Sequence, residues 1–188
     1  MAENPDRAVT QALFDRYVTV DNLRKHSLAT EAVMRELAPR FGADPDTWGT
    51  AGLLHDLDYD ATRDDMPRHS LVTAEILRGH GYPEEILRAI TAHNALHTGV
   101  EPESPFELLL AAGESLTGMI SAMALILPSK RVADVKASSI IKRMKEPAFA
   151  RTVNRDDIRL AERAGLTLDE FISAGIRAMQ RIAPDLGL

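Results

Sequence analysis

The stretch FELLLAAGESLTGMISAMALILP, residues 106–128, constrains the fold more than any other part of the chain. Read as a helix, it is apolar on nearly every side and has to be buried. Glu107 and Glu114 leave only Ser115 to Leu127 free of charge, which is too short to cross a bilayer as a helix. The segment is therefore expected to be a long buried helix from about Phe106 to Leu127, ended by Pro128.

The rest of the chain agrees with a helical surround. No segment keeps the strict alternation of a strand, aromatic residues make up only 5%, and Ala, Leu, Glu and Arg are common. One helix is expected to run through about Tyr17, and a second from a cap at Asp21 to about Arg40, with Leu23, Leu28, Ala32 and Leu37 inward. FGADPDTW breaks the chain, and Asp46 is expected to cap a third helix running into AGLLHDL. DYDATRDDMP reads as a loop, residues 68–78 as a helix, and GHGYP as a stop. Pro83 suits the first turn of the next helix, which reaches about His97. Two or three helices follow Pro128, the last near residues 167–182. The expectation is an all-α fold, a compact helical bundle, with residues 1–188 forming a single domain.

Composition narrows the chemistry. With no cysteine, thiolate zinc sites, disulfides and cysteine nucleophiles are excluded, so a metal would need imidazole and carboxylate ligands. The net charge of −6, spread along the chain, argues against general nucleic-acid binding. MAENPDRAVTQ has no basic patch followed by an apolar run, so no secretory signal or membrane association is expected, and a cytoplasmic location is the default.

Six histidines supply the candidates. His55 and Asp56 stand together in GLLHDLDYD, His26 lies in LRKHSLAT, and His69 opens a helix. His93 and His97 fall four apart, as two ligands to one site would. Glu114 is a carboxylate in the most apolar helix, and burial of its charge requires a partner, either a cation or an arginine across the bundle. His97 could equally face solvent, and the His55–Asp56 pair could be a helix-end histidine bonded to its neighbour. His80, in RGHGYP, reads as part of a helix stop, and Asp58, Asp60, Asp64 and Asp65 as a solvated acidic rim.

The order His26, then His55–Asp56 after GLL, then His69 in HSLVTAEIL, then His93 in AITAHNALHTG resembles the HD-domain superfamily of metal-dependent phosphohydrolases, in particular its small HDIG-type members. The similarity runs from His26 to about Lys130. It implies an all-α bundle of the HD-domain type in which His26, His55, Asp56 and Glu114 bind a metal. It also implies that His69 and His93 join Asp56 around a second ion. Two departures are visible: Glu114 stands where the family has aspartate, and Leu57–Asp58 follow the pair in place of Ile-Gly.

The implied activity is hydrolysis of a phosphoester or phosphoanhydride bond in a small phosphorylated metabolite, with a nucleotide the favoured case. One or two divalent transition metals (Mn, Fe, Zn, Ni or Co) suit a nitrogen and oxygen donor set. Asp56, His69 and His93 are the candidate catalytic groups, His69 and His93 being either ligands or proton and phosphate donors. Lys130, Arg131, Lys25 and Asn94 are the candidate substrate contacts. The alternative is a non-catalytic sensor that binds a nucleotide or metal in a degenerate site, and a purely structural helical adaptor is the third reading.

Overall fold

Helix α8, Pro105–Ile126, is the axis of the molecule in a computed structural model that describes residues 5–188. Helices α2 (Asp21–Leu37), α6 (Glu84–His93), α10 (Arg155–Arg163) and α11 (Leu168–Arg181) pack on it, and α3 (Pro45–Leu54) packs closely on α2. Helix α1 spans Arg7–Tyr17 and α5 spans Leu71–Gly79, packed against α6. The short helices are α4 (Tyr59–Thr62), α7 (Ala95–Thr98), α9 (Ala137–Arg143) and α12 (Ala183–Leu186). No strand occurs among the described residues. By length and composition α8 could cross a membrane, but 67% of its most apolar 18-residue window is buried inside the fold, as in a core helix. Buried apolar side chains from Leu13 on α1 to Leu186 on α12 belong to one core cluster.

Local chemistry explains the element ends. Ser104 and Glu107 form a reciprocal capping box at the start of α8, and Thr167 with Glu170 does the same for α11. Several expected boundaries shift. Asp21 lies inside the first turn of α2 after Val20, where its charge suits the helix dipole without capping. Its inner face is carried by Val33, Met34 and Leu37, while Leu23, Leu28 and Ala32 are only half-buried. The α-helix ends at Leu37 and tightens into a 3-10 turn over Ala38–Phe41, where Pro39 cannot donate to a helical ladder. Asp44, not Asp46, caps α3, accepting from the backbone of Asp46 and Thr47. Asp46 instead binds Arg35 at 2.6 Å. Helix α5 begins at Leu71 rather than Arg68, because Ser70 takes a left-handed backbone (φ 69°). Pro83 caps α6 from outside, and that helix stops at His93 instead of His97.

Close approach of α2 and α3 is what brings their histidines together. A Cβ on Gly52 would sit 2.8 Å from the Thr30 carbonyl oxygen and 2.9 Å from the Glu31 Cα, so only glycine allows the two backbones this near. At the outer end of the same interface Trp48 stacks between Phe41 and Phe106, with centroids 5.6 and 5.1 Å away.

Candidate metal centre

Four imidazoles from four separate stretches of the chain point the same nitrogen inward. His26 projects from α2, His55 caps the end of α3, His69 precedes α5 and His93 ends α6. Asp56 lies between them with its two carboxylate oxygens divided. Oδ2 is 3.7 Å from His26 Nε2 and 3.4 Å from His55 Nε2. Oδ1 is 3.4 Å from His69 Nε2 and 3.7 Å from His93 Nε2. Two donor sets result, His26–His55–Asp56 and Asp56–His69–His93, the ligand atoms of each all within 4.8 Å of one another.

The outer nitrogens fix what the inner ones offer. His55 Nδ1 faces the Gly52 carbonyl at 2.9 Å and His93 Nδ1 faces that of Ile90 at 2.5 Å, and a carbonyl can only accept. His69 Nδ1 faces the Asp58 carboxylate at 2.7 Å. Thr117 lies 3.2 Å from His26 Nδ1 and gives its own proton to the Glu114 carbonyl, so its oxygen accepts from the ring. All four rings therefore donate through Nδ1, and each neutral ring presents a lone pair at Nε2. Yet Nε2 of His26 and His55 are 3.1 Å apart, and those of His69 and His93 are 3.2 Å apart. Nitrogens facing at that distance need either a proton or a metal ion between them. Two nitrogens bound to one ion at about 2.0–2.1 Å would themselves stand roughly 3–3.4 Å apart. The donor set thus fits a divalent cation in its atoms, spacing and tautomers.

Electrostatics point the same way. Burial pushes His55 down to about 3, which keeps the ring neutral. Burial works against the charge of Asp56, but the surrounding imidazoles outweigh it and hold the carboxyl well below its usual range. Burial also opposes a charge on His69, yet Asp56 and Asp58 raise it to about 9, so the pocket favours positive charge there. Asp58 is itself only 2% exposed and receives the Thr73 backbone N–H at 2.9 Å. It belongs to the interior and orients His69, whereas Asp60, Asp64 and Asp65 are exposed as a rim would be. Spacing could not reveal this, because Thr73 meets Asp58 only once the chain has turned at Ser70.

The remaining candidates separate. Glu114 Oε2 is 3.8 Å from His26 Nε2, and Ser115 donates to its Oε1 at 3.0 Å. It borders the first donor set without joining it, and burial raises its pKa. No arginine pairs with it among the described residues; Arg7 and Arg35 take Glu31, and Arg88 takes Glu107. Lys25 borders a hollow shared with His26 and pairs with Asp21 at 2.8 Å. Asn94 lines the first of the cavities at the centre, and its amide donates to the Met66 and His69 carbonyls, each at 3.0 Å, tying the His69 segment to the end of α6. Lys130 and Arg131 are not brought to the centre. They are exposed beyond the end of α8, roughly 18 Å along the helix from Glu114, and line none of the cavities described below. His97 is exposed on α7 beyond the break at Asn94, beside the same cavity as His93.

Two cavities open on the centre, of about 510 and 640 Å³. Their charged walls include Asp56, Glu101, Glu114 and Asp157 against Arg163 in the first, and Asp56, Asp60 and Glu114 against Arg63 in the second. Asp157 was not evident from the sequence, since on α10 it reads as part of a polar outer face. Burial, and the nearby charge of Glu114, lift it to about 6.

Comparison with known proteins gives a consistent result. The family model for the HD domain matches residues 23–127, more than half of the chain. Residues of the chain are 31% identical over 97 positions to Ribonuclease Y of Oleidesulfovibrio alaskensis, covering 52% of this chain and 18% of that protein. Ribonuclease Y of Chloroflexus aurantiacus is 32% identical over 97 positions, with the same coverage, and that of Opitutus terrae 28% over 102, covering 54% of this chain and 19% of its own length. The chain therefore spans under a fifth of these relatives.

Proposed function

This chain belongs to the HD-domain family, and on that premise we propose that it is a metal-dependent phosphohydrolase acting on a small phosphorylated metabolite of the nucleotide class. The observation that carries the proposal is the convergence of four Nε2 atoms on the two oxygens of Asp56. His26, His55 and Asp56 would hold one divalent ion, and Asp56, His69 and His93 a second. Manganese, iron, zinc, nickel or cobalt suits these donors better than magnesium. When bound, such ions lower the pKa of water and neutralise phosphate charge.

The protein's own groups do the rest. Asp56 balances positive charge on both sides of the centre. Gly52, Ile90, Asp58 and Thr117 lock the rings so that little reorganisation is needed. The cavity walls carry more carboxylates than arginines, so a phosphate enters against repulsion unless cations are present. That charge balance also disfavours a long nucleic-acid backbone along the surface, while the relatives named Ribonuclease Y favour a nucleotide phosphate as the reacting group. A cytoplasmic location is the reading that suits such a substrate.

Elemental analysis of the purified protein, followed by a phosphatase and phosphodiesterase screen with added Mn²⁺, tests the proposal. Turnover that is lost in both Asp56→Ala and His55→Ala supports it. Tight metal binding without turnover on any substrate would identify a sensor instead, and absence of metal binding would refute both readings.

A further inference from the structure

The two cavities share Asp56, Tyr59, Glu114, Thr152 and Asn154, so they form one cleft, and Tyr59 lies in the part common to both. Tyr59 opens α4, the turn that follows the His55–Asp56 pair, and its ring meets that of His69 edge to face, with centroids 5.4 Å apart. Of the large apolar side chains that the described residues leave exposed, Tyr59 is the one aromatic. The other two tyrosines are engaged elsewhere: Tyr82 is buried with its hydroxyl 2.9 Å from that of Thr10, and Tyr17 is half-buried beneath Arg16. Holding His69 in place does not require Tyr59, because Asp58 fixes its Nδ1 at 2.7 Å and Asn94 holds its carbonyl at 3.0 Å. The ring is therefore left over for a partner that enters the cleft.

Charge narrows what that partner is. Beside Asp56, the cleft carries Asp60, Glu101, Glu114 and Asp157 against Arg63 and Arg163, so a phosphate gains little affinity from the protein itself. Binding has to draw on an uncharged part of the substrate. A nucleobase is neutral, and it stacks on an aromatic face whichever base is offered. Apolar walls flank the ring on both sides, Leu23 and Val153 in one cavity and Met66 and Leu96 in the other. The Tyr59 ring lies 5.4 Å from His69, which in turn reaches Asp56 at 3.4 Å, a separation of the order that a ribose spans between base and 5′-phosphate. We propose that Tyr59 is the base-stacking residue of the site, seating a nucleobase in the cleft while the phosphate lies at Asp56. This rests on the hydrolase reading above and deepens it, by naming the side chain that selects nucleotides over other phosphate esters.

The test compares adenosine 5′-monophosphate with ribose 5-phosphate on the full chain with Mn²⁺, by titration calorimetry, or as KM where an ester is turned over. The nucleotide is expected to bind about fivefold tighter or more, the lower end of what stacking one base contributes. Tyr59→Ala should bring the two ligands close to parity by weakening the nucleotide alone, with metal content unchanged, and Tyr59→Phe should keep the preference. Equal affinities in the wild type, or a preference that survives Tyr59→Ala, overturn the inference and leave the hydrolase reading standing. If Tyr59→Ala weakens both ligands equally or strips the metal, the ring serves only to position His69, and stacking is refuted. Failure of both ligands to bind also ends base recognition, whereas the hydrolase reading is judged by turnover in the screen. Tyr59→Trp gives a second signature, since the one native tryptophan, Trp48, is buried between Phe41 and Phe106. The nucleotide should quench the added emission and ribose 5-phosphate should not; quenching by neither counts against stacking. Should that variant fail to fold, the Tyr59→Ala and Tyr59→Phe comparison decides.

Discussion

Asp58 shows how much a single side chain outside the donor sets contributes. Its carboxylate fixes the His69 tautomer from one oxygen and takes the Thr73 N–H with the other. Asp58→Asn keeps the volume but replaces an ionised acceptor with an amide, and losses of partners of this kind cost roughly 10–100-fold in metal affinity. Titration calorimetry with Mn²⁺ should show that loss with an unchanged circular dichroism spectrum; unaltered affinity would mean that His69 does not bind an ion. Asn94 makes a structural counterpart. In Asn94→Ala the Met66 and His69 carbonyls lose their donor, at a cost of about 1–3 kcal/mol, read from the urea midpoint. His26, His55, Asp56, His69 and His93 could be picked out from the sequence because their order and spacing resemble a known pattern. The roles of Asp58, Asn94 and Thr117 could not, because each is defined by a partner that only the folded backbone supplies.

At the scale of elements, the approach of α2 to α3 sets the distance between His26 and His55. Gly52→Ala places a methyl group against the Thr30 and Glu31 backbone at under 3.0 Å, where no flexible side chain can yield. The helices must separate, at roughly 1–3 kcal/mol by the usual cost of overpacking. The effect on function should be selective: the His26–His55–Asp56 set weakens while Asp56–His69–His93, carried by other elements, keeps its ion. Elemental analysis should then give a lower metal content than the wild type. Gly79→Ala, at a helical position with nothing within 4 Å of the added carbon, is the control: it should leave metal content unchanged and, by helix propensity, stabilise by up to about 1 kcal/mol. Equal metal loss in both would discard the helix-spacing explanation. The longer helices were readable from apolar spacing, whereas the four-residue α4, within a stretch that reads as a loop, was not, because one turn carries no periodicity. The ends of the longer helices were less readable, because whether Asp44 or Asp46 caps α3, or Val20 rather than Asp21 precedes α2, depends on which residue takes the extended backbone. The break at Asn94 likewise comes from tertiary bonds to another segment.

For the molecule as a whole, the site concentrates negative charge at the meeting point of α2, α3, α6 and α8, in a chain already at net −6. The all-α bundle could be inferred from α8 together with the lack of strand alternation elsewhere, because so apolar a helix needs cover on all sides and the flanking segments read as helices. The contribution of α10 to the cavities could not, since Asn154, Asp157 and Arg163 carry no sign of facing inward until α10 is docked on α8. A cation that binds this cluster only in the folded chain stabilises the fold by mass action, by about 2.7 kcal/mol at a hundred times its dissociation constant. For a chain of this size each kcal/mol raises Tm by roughly 2–4 °C, so saturating Mn²⁺ should lift it by about 5–10 °C. Asp56 touches both donor sets, and Asp56→Asn is therefore expected to abolish nearly all of that rise, whereas Lys130→Ala, far from the centre, should preserve it. Scanning calorimetry with Mn²⁺ and with an equal ionic strength of NaCl distinguishes specific binding from screening of the net charge. If NaCl produced the same shift, the carboxylates would be acting as a diffuse acidic surface and the convergence on Asp56 would have no bearing on metal binding.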